Sequence, residues 1–187
     1  MKDNALFRLV GQLIGDRRGV LAVEFALMLP ILVLLTMSGV EIYRFILLNQ
    51  KIERTSVTIA DLTSQAKALT EDDLNNLLMV SSQVMNPFDL TVGGQIIVSS
   101  IGAKGGNPAQ IDWQRTFGAA TNTSALGNQG GTPALPAGFV VRDNENVIVA
   151  EVFYQYTPLI VSGVVDPVVL YNATFFRTRF ESLDTLN

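Results

Sequence analysis

Glu24 is the only charged residue between Val20 and Val40, so its carboxylate sits inside an otherwise apolar run. Such a carboxylate costs about 2.5–3.5 kcal/mol at the middle of a bilayer and less near the edge. Alone it would tend to protonate; beside a cation, each charge offsets the other's burial. Its chemistry is therefore charge pairing. The chain contains no Cys and no His. That excludes disulfides, zinc and thiolate-held iron–sulfur sites, and nucleophiles of the Ser-His or Cys-His type. Glu71-Asp72-Asp73 lack the spaced oxygen ligands of a calcium loop. They read instead as first-turn acids behind a capping Thr70. Asp143-Asn144-Glu145-Asn146 reads as a polar turn. Gly105-Gly106 are not a phosphate loop, because no Gly-Lys-Ser/Thr follows and no helix opens. No catalytic set, metal or cofactor is expected, and no enzyme.

The element that must position Glu24 is a helix. The 21 residues Val20–Val40 would make one about 30 Å long, the thickness of a bilayer's hydrocarbon core. Arg17 and Arg18 stand before it, Glu41 and Arg44 behind it. Pro30 removes a backbone donor and crowds the carbonyl of Ala26, which predicts a kink. Thr36, Ser38 and Gly39 form a patch of small side chains suited to close helix approach. Tyr43 fits an interfacial aromatic belt, and Arg44 can reach lipid headgroups. Glu41 and Arg44, three apart, pair within the helix or between packed subunits.

Of thirteen basic and seventeen acidic residues, the first nineteen hold four and two, leaving nine and fifteen for the rest. A basic tail before an apolar span predicts a cytoplasmic amino terminus, and an acidic body argues against nucleic-acid binding. In the tail, Leu6, Leu9, Val10, Leu13 and Ile14 keep helical spacing. Either a surface-lying helix or a disordered leader accommodates that.

Beyond the span, helical pattern continues without Pro or Gly to about Leu69, with Ile52, Ile59, Leu62, Ala66 and Leu69 on one face. A second helix is predicted over Thr70–Asn86, with Leu74, Leu77, Leu78, Ser81 and Val84 buried and Pro87 as its stop. From Gln95 the period changes to two. Ile96–Ile101 and Ile111–Phe117 read as strands, and Val140-Val141 with Val147–Tyr156 as a hairpin. Val168–Phe180 reads as a last strand placing Arg177 and Arg179 on one face. Residues 118–138, rich in Gly, Ala, Thr, Asn and Pro, read as a long exposed loop.

Gly19, four intervening residues, Glu24-Phe25 and an apolar helix resemble the processing site of type IV-like prepilins. The string Gly19 to Pro30, followed by Gly39-Val40-Glu41-Ile42-Tyr43-Arg44, is similar to the TadE/TadG family, the minor pilin-like proteins (pseudopilins) of the tight adherence, or Tad, pilus system. More loosely, Ala150–Leu159 and Phe176-Arg177-Thr178-Arg179 resemble the carboxy-terminal half of TadE-like proteins. The resemblance implies cleavage after Gly19 by a prepilin peptidase, freeing the amine of Val20. Glu24 would then be the fifth mature residue and pair with a neighbouring subunit's amine. Implied partners are that peptidase, other major and minor pilin-like subunits, an inner-membrane assembly platform and membrane lipid. Implied roles are pilus assembly, adhesion and biofilm formation, with the carboxy-terminal part periplasmic or in the extracellular fibre.

The expected fold is α+β. Residues 1–19 form a leader, 20–69 a transmembrane and stalk helix, and 70–187 a head with a second helix and an antiparallel sheet of four or five strands. The competing readings are an uncleaved single-span scaffold or binding protein of the periplasm, a twin-arginine signal at Arg17-Arg18, and a secretory signal cut after Ser38.

Overall fold

The computed structural model describes residues 18–160, 166–180 and 183–186. The expectations for the leader before Arg18, and most of a loop expected over 163–167, lie outside these residues. Contacts divide the chain into two compact units, one ending at Tyr43 and one running from Arg44 to Asn187. The order of elements is α1 (Arg18–Ser64), α2 (Glu71–Met85), α3 (Leu90–Gly93), β1 (Gly94–Ala103), β2 (Gln110–Gly118), β3 (Glu145–Tyr156) and β4 (Val168–Arg177). This is the expected α+β class.

In the first unit, the part of α1 up to Tyr43 exposes its apolar side chains, among them Leu21, Leu27 and Leu34. Pro30 lies inside the helix without ending it. The hydroxyl of Thr36 donates to the carbonyls of Leu32 (2.8 Å) and Val33 (2.9 Å), and that of Ser38 to Leu34 (2.8 Å).

The second unit is built on an antiparallel sheet of order β2-β1-β3-β4. β1 is buried along its whole length, as befits a central strand covered on both faces. One face carries Ile96, Val98, Ile148, Ala150 and Val152 against Leu48, Ile52 and Ile59 of α1 and Leu74, Leu78 and Met85 of α2. α2 starts as expected. Thr70 Oγ1 accepts from the Asp73 backbone (3.1 Å), and the Asp73 carboxylate accepts from the Thr70 backbone (3.3 Å). This reciprocal arrangement satisfies two backbone donors at the helix start. The Lys51 ammonium donates to the Val84 carbonyl near the other end of α2 (2.9 Å).

The predicted stalk face needs correction. α1 ends at Ser64, five residues before Leu69. Leu62 is exposed, and the buried face is completed by Thr55, Ser56, Thr63 and Ser64. Small hydroxyl residues let the helix lie close to the sheet. Ser56 and Ser64 return hydrogen bonds to Glu53 and Asp61 of their own helix, and Ser56 also reaches Asn172 and Thr174 of β4, each at 2.8 Å.

The second face also differs from expectation. Residues between β2 and β3 contain no helix or strand, yet Leu126, Pro133 and Val141 are buried. They cover Ile101, Ile111, Val147 and Val149. The stretch also extends the β2 edge, where Ile111 exchanges hydrogen bonds with Gly130 (2.8 Å) and Gly131 (3.0 Å). Residues 118–138 are exposed over most of their length, as expected, but Leu126 and Pro133 are buried, so the stretch is pinned over the sheet as a lid. Val140-Val141 form no strand, because both edges of β3 are occupied along its length by β1 and β4. β4 ends at Arg177, so Arg179 does not share its face. Arg177 pairs with Glu145, while Arg179 reaches Asp61 of α1 (2.8 Å).

Candidate functional site

Gly19, Val20, Glu24 and Phe25 lie on the first two turns of α1, and all four are exposed. Glu24 makes no ion pair among the described residues. A Cβ at Gly19 would meet nothing within 4 Å. Packing among the described residues therefore does not call for glycine there, and Gly39 in the same helix is equally open.

Among the described residues, one helix, Gly19–Ser64, is long and apolar enough to cross a membrane. Its apolar stretch is unburied, unlike the core helix of a soluble domain. The segment has the length and composition of a membrane anchor.

Arg44 falls one helical turn after Val40. It is half-buried, and its Nη1 is buried without a hydrogen-bond partner among the described residues. It borders a cleft of about 260 Å³ lined also by Phe88, Val92, Tyr154, Tyr156 and Thr157. Burial pushes the Tyr154 phenol above its ordinary value, so it stays neutral. The ring packs edge-on against Phe88, with centroids 5.8 Å apart.

Two polar clusters in the second unit escaped sequence reasoning. Glu151, fully buried on β3, accepts hydrogen bonds from the Ser124 hydroxyl, the Ala125 backbone (2.9 Å) and the Tyr171 phenol (3.0 Å). Burial and the adjacent carboxylate push that phenol well up. The cluster fastens the lid to the sheet. A signal was present: Val147, Val149 and Phe153 alternate with Ile148, Ala150 and Val152, so both faces of β3 are apolar. An acid between them must be buried and partnered.

The other cluster lies where β1, β2 and β3 meet. Asp112, at a bulge opposite Ser100 and Ile101, accepts from Asn146 Nδ2 (2.8 Å), and its carboxyl is raised by burial. Nearby Lys104 pairs with Asp184, and the Ser100 hydroxyl and Trp113 indole donate to the Leu183 carbonyl at 2.7 and 2.8 Å. These bonds tie down the carboxy-terminal segment. No group of three or more Asp or Glu side chains is placed to hold a metal among the described residues.

The family model for TadE-like proteins matches residues 19–60. It starts at the glycine before the span and ends in the buried part of α1. The looser resemblances at Ala150–Leu159 and Phe176–Arg179 fall outside it. Comparisons with curated proteins and with solved structures return no match. Residues 19–60 are thus similar to the TadE-like family, the resemblance that the Gly19–Arg44 motif carried.

Proposed function

We propose that this chain is a minor pilin-like subunit of a Tad-type pilus. It inserts in the bacterial inner membrane with its amino terminus in the cytoplasm and its second unit in the periplasm. A prepilin peptidase cuts after Gly19. The freed Val20 amine of one subunit then meets Glu24 of another, while the apolar surfaces of the helices pack together. The subunit joins other pilin-like chains through the assembly platform and serves surface adhesion.

One observation carries this reading. The TadE-like match begins at Gly19, where a glycine that packing does not require precedes an exposed apolar helix whose sole charge is Glu24. In a bundle of low dielectric, an amine beside that carboxylate gives each charge a partner.

The test is the mass of the amino-terminal peptide from membranes making the full chain with and without its cognate peptidase. A terminus at Val20 only when the peptidase is present is the expected result. Gly19→Ala should block the cut. Glu24→Ala should leave the chain in the membrane and out of the fibre. An intact terminus in both membranes would overturn the pilin-like reading in favour of an uncleaved anchor. A terminus at Gly39 would mean an exported protein.

A further inference from the structure

We propose that the outer edge of β4 takes up an extended, uncharged segment of another polypeptide chain as an added strand of the sheet. The proposal rests on neither the membrane anchor nor pilus assembly. Just past the end of β4, Thr178 N donates to the Asn146 carbonyl of β3 (3.1 Å). Backbone groups alternate sides along an antiparallel ladder. Even-numbered residues of β4 therefore bond to β3, while Val169, Tyr171, Ala173 and Phe175 turn their N–H and C=O groups outward. None of these outward groups has a backbone partner among the described residues. The outward amide of Arg179, beyond the strand, donates to the Ser64 carbonyl of α1 (3.1 Å). The edge is thus closed at that end and open over residues 169–175.

The two edges of the sheet are built differently. At the β2 edge the pairing register shifts between Ser100 and Ile101, Ile111 is covered by Gly130 and Gly131, and Asp112 and Arg115 supply charge. Bulges, covering segments and charges keep an edge strand from pairing further. Over residues 169–175, β4 has none of these among the described residues. Its register with β3 runs unbroken from Val168 to Arg177, and no charge or Pro falls between Val168 and Phe176. Its apolar side chains are also bare, with Val169 49% and Tyr171 45% exposed.

What covers such an edge must supply donors and acceptors at strand spacing, as an extended backbone does. Its side chains must be uncharged, because those facing Val169, Tyr171, Ala173 and Phe175 come within about 5 Å of apolar neighbours. A second copy pairing through its own β4 does not fit. The short Ser56 side chain reaches Asn172 and Thr174 at 2.8 Å, so α1 lies over β4, and its Ser64 carbonyl reaches the outer edge. Paired strands stand about 4.8 Å apart, whereas packed helices need about 8–10 Å between axes. Two copies would bring their α1 helices into collision. The segment that fits carries no helix on that face.

The probe is a synthetic peptide of alternating Val and Thr, about as long as β4, added to the full chain in detergent micelles. Hydrogen exchange resolved to single amides reads the site. The peptide should slow exchange at Val169, Tyr171, Ala173 and Phe175. It should leave Leu170, Asn172 and Thr174, already bonded to β3, unchanged. Fluorescence anisotropy of the labelled peptide gives its affinity. Ala173→Pro removes an outward N–H without touching the ladder to β3, and should weaken binding about tenfold, the worth of one hydrogen bond. Val169→Lys, at an exposed position, puts a charge on the edge and should weaken binding several-fold. A peptide with Glu in place of Val should also bind more weakly. Far-UV circular dichroism monitors the fold, and Val169→Lys carries the test if Ala173→Pro unfolds. No binding to wild type, or equal binding to wild type and both variants, would overturn the proposal. So would slowing spread evenly along β4, which marks general adhesion rather than strand pairing. Self-association without peptide, abolished by Val169→Lys and slowing the same alternate amides, would give the edge to a second copy and overturn the assigned occupant.

Discussion

Replacing Glu151 should release the lid from the sheet while leaving the sheet paired. The carboxylate holds three donors, two of them, Ser124 Oγ and Ala125 N, on the lid. Hydrogen bonds to a charged group contribute about 1.5–3 kcal/mol each. The two lid bonds alone then put the cost of Glu151→Leu near 3 kcal/mol, roughly a hundredfold in the opening equilibrium. Glu151→Gln keeps the oxygen that serves Ala125 and Tyr171 and loses only the acceptor for Ser124. Its cost should be about 1 kcal/mol. Hydrogen exchange of a peptide covering residues 120–127, in the full chain in a nanodisc, reads the opening directly. Fluorescence of Trp113, the only tryptophan, reports global unfolding, since its buried indole is bonded to the Leu183 carbonyl. Exchange should accelerate in the lid more than in β1, in the order Leu, Gln, wild type. Wild-type exchange in Glu151→Leu would refute the reasoning. It would mean that desolvating the carboxylate cancels what its bonds contribute.

Other substitutions probe the remaining contacts. Gly118 has φ +111°, and a Cβ there would lie 2.4 Å from the Gly94 carbonyl oxygen. Gly118→Ala should cost about 3 kcal/mol, read as a drop of roughly 6–12 °C in Tm. Thr55 is buried with an unpartnered hydroxyl, so Thr55→Val should stabilise the fold by about 1 kcal/mol in a thermal melt. Asp184 beside Lys104 and Glu71 beside Arg115 are held below their ordinary values of 3.8 and 4.5. Their stabilisation is present above those values and is lost as the pH falls through the lower folded-state values. Asp112 is raised instead, so its contribution grows on acidification and opposes the loss. Asp112→Asn should therefore steepen the fall in Tm between pH 5 and pH 3; an equal or shallower fall would contradict the assignment.

The elements legible in the sequence were those with a clean period. α2 with its Thr70 cap, β1, β2 and β3 all fall where apolar spacing places them. The α1 face was misread at Leu62, since side-chain apolarity was weighed without regard to fit. Ser56 and Ser64, with their hydroxyls bonded back to the helix, behave as small packing residues. Val140-Val141 look like a strand beside a turn, but pairing needs a free edge, and β3 has none. The lid had no period to read. Its order comes from partners distant in the chain, such as Glu151 for Ser124 and Ile111 for Gly131. Of the motif residues, Gly19 and Glu24 were legible by type alone. The cleft at Arg44 was not, because Phe88, Val92 and Tyr154 reach it from separate elements.

The hydroxyls of Thr36 and Ser38 are spent on carbonyls of their own helix. The segment can therefore trade a lipid neighbour for a protein neighbour, or the reverse, without stranding a donor at either stage. Lateral exchange then carries no polar toll along this part of the span. Glu24 is the charged group of the span whose surroundings change at each exchange. In the proposed assembly it would set the axial stagger, while the smooth remainder would leave rotation free.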